Sequence, residues 1–128
     1  MIQLFFILFN VANAFLDAYK IRELNKTIRH GINLAAYIAY VGVVIWIFDL
    51  STWGAVLAAL SAFFNRQIFF DIPLNWRRGL KWDYVSLDKP PKALMDKIEV
   101  SIFGYNGRLP VLIYSIGLVV TVVIQYFL

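Results

Sequence analysis

The chain alternates between long apolar segments and short polar ones. The four apolar segments cover about residues 1–19, 30–48, 52–70 and 109–128. At about 1.5 Å of rise per helical residue, each segment approaches the roughly 30 Å hydrocarbon core of a bilayer. The pattern therefore predicts an all-α integral membrane protein, a single domain over residues 1–128 in which four transmembrane helices form a small bundle.

The first apolar segment also has one feature of a signal peptide. Ala12, Asn13 and Ala14 give the small-x-small form of a cleavage site. No basic residue precedes the apolar run, whereas a signal peptide begins with a positively charged region. We therefore expect this segment to be kept as a helix.

Local chemistry marks two of the helix boundaries. Ser51 or Thr52 follows a tight turn at Asp49 and is expected to cap the third helix, because a side-chain oxygen there accepts from a free backbone N–H. Pro73 is expected to end that helix or to turn it along the surface, since proline cannot donate to the helical ladder.

The polar connection at about residues 71–108 has an amphipathic pattern of its own. Between Lys92 and Phe103, the apolar residues Leu94, Ile98 and Ile102 fall on one side of a helix and most charged residues fall elsewhere. This pattern predicts an interfacial amphipathic helix that lies on a membrane surface or against a partner.

Composition supports the membrane assignment and narrows the chemistry. Of the 128 residues, 61% are hydrophobic, above the proportion typical of soluble domains. The chain has no cysteine, which excludes disulfides, thiolate metal sites and cysteine nucleophiles. Its net charge of +4 does not indicate nucleic acid as a partner, because the basic residues flank apolar segments. Anionic lipid head groups are the expected partner instead.

The distribution of basic residues predicts the orientation. All 12 lysines and arginines fall within residues 20–29 and 66–108. With four spans these two regions lie on the same side, whereas three spans would divide them. The positive-inside rule then places both basic regions in the cytoplasm and both termini outside, in a plasma or inner membrane.

Polar residues within the apolar segments form the next pattern. Asn10, Asn13 and Asp17 share one face of the first helix, and His30 and Asn33 begin the second. In an antiparallel hairpin Asp17 would meet His30, with Asn13 and Asn33 one turn deeper. Such groups are costly in hydrocarbon, so they face the bundle interior and commonly bond helices together. The polar intramembrane cluster predicted in this way comprises Asn10, Asn13, Asn33 and Asn65.

A site is the alternative interpretation of these polar groups. Asp17, His30 and Asp71 are the candidate catalytic residues and the candidate ligands of a divalent metal ion, since carboxylate and imidazole groups suit zinc, manganese or iron. An arginine fork matches phosphate oxygens. The candidate lipid- or phosphate-binding residues are Arg66, Arg77, Arg78 and Lys81. Interhelical bonding is favoured over a metal site.

Small residues recur at four-residue spacing in the third helix. Gly54, Ala58 and Ala62 form a small-xxx-small stripe, which lets another helix approach closely within the chain or between copies.

Three functions fit these patterns. The first is a structural or interaction subunit of a membrane assembly, as a homo-oligomer or within a larger complex, with a basic cytoplasmic loop that contacts lipid head groups or a partner. The second is a membrane-embedded, metal-dependent hydrolase or transferase acting on a lipid or phosphate ester. The third is an oligomeric pore or holin-like protein. The sequence contains no HExxH, GxSxG or P-loop pattern, and the first function is preferred.

Overall fold

The computed structural model describes residues 1–24, 30–83, 94–105 and 107–127. Over these residues the chain is all-helical and contains no strand. The helices are α1 (Ile2–Arg22), α2 (His30–Ile47), α3 (Thr52–Phe69), α4 (Asp71–Arg77), α5 (Leu94–Phe103) and α6 (Arg108–Phe127). The all-α prediction is confirmed.

Three of the helical stretches are long and apolar enough to cross a membrane. They are α1 with 21 residues, the continuous stretch Thr52–Arg77 of α3 and α4 with 26, and α6 with 20. The remaining long apolar helix, α2, is shorter by the same measure, over Gly31–Ile47. The chain is therefore compatible with integration into a membrane.

The boundaries of α3 follow from local chemistry at both ends. At its start the Ser51 hydroxyl accepts a hydrogen bond from the Gly54 backbone N–H at 3.2 Å, which confirms the predicted cap. At its end the helix breaks at Phe70, and α4 begins at once with Asp71. Pro73 lies in the first turn of α4, where its missing N–H is tolerated. The helical path therefore continues through the proline to Arg77.

The contacts between helix ends show how the helices are arranged. Near the last turn of α1, Arg22 Nη1 donates to the Arg77 carbonyl of α4 at 2.7 Å. Near the first turn of α1, the Phe5 ring packs edge-on against the Phe48 ring, which follows α2, at 5.7 Å. Helix α2 therefore runs antiparallel to α1, and the α3–α4 stretch runs parallel to α1. We call the end containing Arg22 and Arg77 the basic end, and the opposite end the turn end.

Helix α6 packs antiparallel to α3 at close range. A Cβ at Gly117 would lie only 2.6 Å from the Phe64 ring of α3, so a larger residue there would require that ring to move. The Tyr114 ring, one turn earlier, also contacts Phe64, with the centroids 6.3 Å apart. The glycine thus leaves room for the Phe64 ring against α6.

The core lies among α1, α2 and α3. Ala58 and Ala62 of the small-residue stripe are almost fully buried in it, whereas Gly54 lies against the capping turn at Leu50 and Ser51. Two of the three stripe residues therefore pack within the chain. The buried members of this core are Ile2, Phe6, Tyr37, Val41, Val44, Ala58 and Ala62.

Candidate functional site

Helix α1 carries a row of polar side chains that faces the other helices. Gln3, Asn10 and Asp17 are spaced seven residues apart, so they lie on one face of the helix. Asn10 and Asp17 are fully buried, and Gln3 is partly buried. Each of the three bonds to a different part of the bundle, and together they connect α1 to α2, α3 and α6.

The first of these contacts lies in the half of the bundle toward the turn end. Gln3 Nε2 donates to Ser61 Oγ of α3 at 2.8 Å and to Gln125 Oε1 of α6 at 3.2 Å. Asn65 Nδ2 donates back to Gln3 Oε1 at 2.6 Å. One glutamine therefore links three helices. The carboxamide oxygen of Asn65 is buried and has no hydrogen-bond partner within the described part of the chain.

The second contact is centred on Asn10. Its Nδ2 donates to the Tyr37 hydroxyl of α2 at 3.0 Å, and that hydroxyl donates to the Ala62 carbonyl of α3 at 2.7 Å. Arg66 Nη1 donates to Asn10 Oδ1 at 3.3 Å. The Arg66 guanidinium also lies over the Phe70 ring, 4.1 Å from its centroid. A partly buried cation is thus held by an amide and aromatic faces within the bundle.

The third contact is centred on Asp17 and lies nearer the basic end. Asn33 Nδ2 of α2 donates to Asp17 Oδ2 at 2.6 Å. Lys20 Nζ lies 3.7 Å from Asp17 Oδ1, as an ion pair along α1. Asp17 therefore bonds Asn33, the residue predicted to lie one turn deeper. The side chain of His30, its predicted partner, lies outside the described residues.

Asp71 lies at a different place from Asp17, at the start of α4. It lines an open cleft between the α3–α4 junction and α6. Other lining residues are Asn75, Glu99 and Tyr114, and the Tyr114 hydroxyl donates to Glu99 Oε1 at 2.9 Å.

Burial raises the pKa of Glu99. The hydrogen bond from Tyr114 opposes this rise, and the nearby Asp96 carboxylate adds to it. Burial also raises the pKa of Asp96. Glu99 of α5 thus faces α6 and the cleft.

Within the described residues, no three histidine, cysteine or acidic side chains are grouped so that they could hold a metal ion. Of the predicted set Asp17, His30 and Asp71, the two carboxylates lie in different surroundings, with Asp17 bonded to Asn33 and Asp71 at the cleft.

The predicted phosphate-binding residues divide into two groups. Arg66 lies inside the bundle, as described above. Arg77 and Lys81 are exposed at the basic end, and Arg78, half-buried, ends α4. The Arg77 guanidinium lies 5.3 Å from the centroid of the Phe15 ring of α1.

Sequence reasoning missed several residues that make these contacts. Gln3 is the most informative, because its seven-residue spacing to Asn10 and Asp17 was a usable signal. Asn13, which was predicted to belong to the cluster, is partly exposed and makes no side-chain hydrogen bond within the described ranges. The residues found only through the structure are Gln3, Arg22, Ser61, Glu99 and Tyr114.

These features define an all-helical protein with apolar helices compatible with a membrane and a buried polar seam along α1. No known protein family, curated protein or solved structure matches the chain.

Proposed function

We propose that the protein is a small polytopic membrane protein that serves as a structural or interaction subunit of a membrane assembly. The observation that supports this most strongly is the use of the buried polar groups. Asn10 and Asp17 bond to neighbouring helices of the same chain, while large apolar side chains are exposed along the helices. Interhelical hydrogen bonds of this kind hold transmembrane helices in register.

The bundle crosses the membrane four times in this proposal. Helix α2 lies beside α1 over most of its length, from the Asp17–Asn33 bond to the contact between Phe5 and Phe48. If α1 spans the hydrocarbon core, its antiparallel neighbour spans it too. The two regions rich in lysine and arginine then share one side of the membrane, the cytoplasmic side, and both termini lie outside.

Tryptophans at the two ends support this placement. Trp46 and Trp53 are exposed beside the turn end, and Trp76 and Trp82 are exposed near the basic end. Tryptophan favours the interface between head groups and hydrocarbon. The two pairs would then mark the two faces of a plasma or inner membrane.

Helix α5 is proposed to lie on the cytoplasmic surface of the membrane. Its apolar residues Leu94, Ile98 and Ile102 are all exposed, whereas Glu99 faces α6. An apolar stripe that points away from its own chain is available to the lipid interface.

The four-span topology can be tested by labelling, because the chain has no native cysteine. We expect a Thr52→Cys variant to react with a membrane-impermeant maleimide on intact cells. Glu23→Cys and Lys81→Cys variants should react only after the membrane is permeabilised. All three positions are exposed, so differences in labelling report on the side of the membrane.

The comparison between positions 23 and 52 decides the outcome. Labelling of both from the same side would mean that α2 does not cross, and the four-span proposal would be wrong. If positions 23 and 52 are labelled from opposite sides and Lys81→Cys reacts from the outside, the protein crosses four times in the orientation opposite to the one proposed.

Native mass spectrometry of the purified protein tests the subunit function. We expect a defined homo-oligomer, or a complex with another membrane protein, that retains anionic lipid. A monomer carrying a divalent ion that is lost on Asp71→Asn substitution would contradict this. Asp17→Asn is the matched control, since Asp17 bonds to α2 and lies away from the cleft.

That contrary result would favour a second candidate function, a metal-dependent hydrolase or transferase acting on a lipid or phosphate ester. The cleft lined by Asp71, Asn75, Glu99 and Tyr114 is the observation in its favour. Carboxylate and amide oxygens are ligands for hard divalent cations.

A further inference from the structure

We propose that the seam between α1 and α4 binds an anionic lipid, with Arg22 and Arg77 as the ligands of its phosphate group. This inference rests on the proposed membrane function and gives it a specific site. Arg22 comes from the last turn of α1 and Arg77 from the last turn of α4. The two residues meet because Arg22 Nη1 donates to the Arg77 carbonyl at 2.7 Å.

Both guanidinium groups keep donors for a ligand. An arginine has five N–H donors in a fixed fork, and Arg22 uses one of them on the carbonyl. The Arg77 guanidinium packs against ring faces, which leaves its edge available. The fork of donors on such an edge matches a pair of phosphate oxygens.

The charge at this seam is not neutralised by the described carboxylates. Within the described ranges, ion pairs join Lys20 to Asp17 and Arg108 to Asp83. Neither Arg22 nor Arg77 takes part in one, and both side chains are exposed. Lys81, also exposed, adds to the positive field at this end. A negatively charged ligand is therefore electrostatically favoured here.

Beside the two arginines the seam is apolar, which favours a lipid over free phosphate. The Phe15 and Trp76 rings pack edge to face at 6.4 Å, and the Arg77 guanidinium lies 5.3 Å from the first and 5.9 Å from the second. Both rings are exposed, and so is Leu16 next to Phe15. A phosphate attached to acyl chains would place its charge on the arginines and its apolar part on these rings.

The test uses the full chain reconstituted with equal amounts of phosphatidylglycerol and phosphatidylcholine. After extraction in mild detergent, the retained lipids are quantified by mass spectrometry. We expect the wild-type protein to retain phosphatidylglycerol preferentially. Arg22→Gln or Arg77→Gln should lower the ratio of the two lipids by about tenfold, the effect of losing a charge-assisted hydrogen bond.

Matched variants separate a site from a general charge effect. Lys97→Gln removes an equal charge from an exposed position of α5, and it should lower the ratio by at most about twofold because distant charges are screened. The double variant Arg22→Gln/Arg77→Gln should lose little more than either single variant, since both arginines serve one phosphate. Independent losses that multiply, or an equal loss in Lys97→Gln, would overturn the proposal.

Arg22 also caps the carbonyl end of α4, so a change in folding must be measured separately. Arg22→Lys keeps the charge and loses the fork; it should reduce lipid retention while the melting temperature in detergent stays within a few degrees of the wild type. A variant that lowers the melting temperature and leaves the lipid ratio unchanged would show that Arg22 acts only as a helix cap and does not bind the lipid.

The last measurement adds excess inorganic phosphate as a competitor of the bound lipid. It should leave the bound phosphatidylglycerol in place, and displacement of the lipid would show that the site recognises phosphate without its acyl chains. Failure of the site is distinct from failure of the membrane function, because an unselective protein would still give the labelling pattern of a four-span topology.

Discussion

Replacing Ala58 by leucine is expected to destabilise the protein by about 3 kcal/mol, at the upper end of the range for overpacking a buried position. Ala58 has no exposed surface and lies in the core formed by α1, α2 and α3. Among its companions in this core are Phe6, Val41 and Ala62. The extra carbons of leucine would push α3 away from both neighbours. The melting temperature in detergent, followed by tryptophan fluorescence, measures the loss.

The neighbouring alanine provides a matched control. Ala59 is exposed, so Ala59→Leu adds the same atoms to the outer face of α3 and should leave the melting temperature almost unchanged. The reverse result, with Ala59→Leu disruptive and Ala58→Leu tolerated, would mean that the packed face of α3 is the outer one. The contact would then be made with another chain, and the interior packing described above would be wrong.

The helical architecture could be predicted from local sequence signals. Long apolar runs predict α1, α3 and α6, and the structure forms each of them. Ser51 acts as the expected cap because a hydroxyl before an apolar run satisfies a backbone N–H without help from distant residues. These features depend on a few adjacent residues, so they can be predicted from the sequence alone. Pro73, which was expected to end or turn the third helix, lies instead in the first turn of α4, where its missing N–H is tolerated.

The hydrogen bond between Asp17 and Asn33 depends on the register of two helices. The sequence indicates that Asp17 faces the start of α2, but a shift of one turn separates His30 from Asn33. The packing of α1 against α2 determines that shift, and a hydrophobic pattern does not specify it. The hydrogen bond between Asp17 and Asn33 is therefore a tertiary result.

Contacts between distant segments were still harder to foresee. Gln3 bonds to Gln125, which is 122 residues away, and this requires α6 to end beside the start of α1. The cleft at Asp71 depends on how α5 and α6 pack, because Glu99 and Tyr114 complete it. Neither arrangement has a local signature, since each depends on helix packing over the whole chain.

The most specific prediction from the polar seam concerns Asn10. This side chain is fully buried and bonds in two directions, donating to Tyr37 at 3.0 Å and accepting from Arg66 at 3.3 Å. Asn10→Ala removes both bonds and leaves the partly buried Arg66 guanidinium without that acceptor. Unsatisfied buried groups cost about 1–3 kcal/mol, and interhelical bonds in membranes reach about 2 kcal/mol. We expect Asn10→Ala to destabilise the protein by about 2 kcal/mol.

Asn13 supplies the control, because it is the same residue type three positions along the same helix. It is partly exposed and makes no side-chain hydrogen bond within the described ranges, so Asn13→Ala should change the free energy of unfolding by less than about 0.5 kcal/mol. Denaturation of both variants under identical detergent conditions measures the difference. Equal effects would show that the asparagines of α1 act only through their polarity, and that the bonds from Asn10 to Tyr37 and Arg66 do not hold the bundle together.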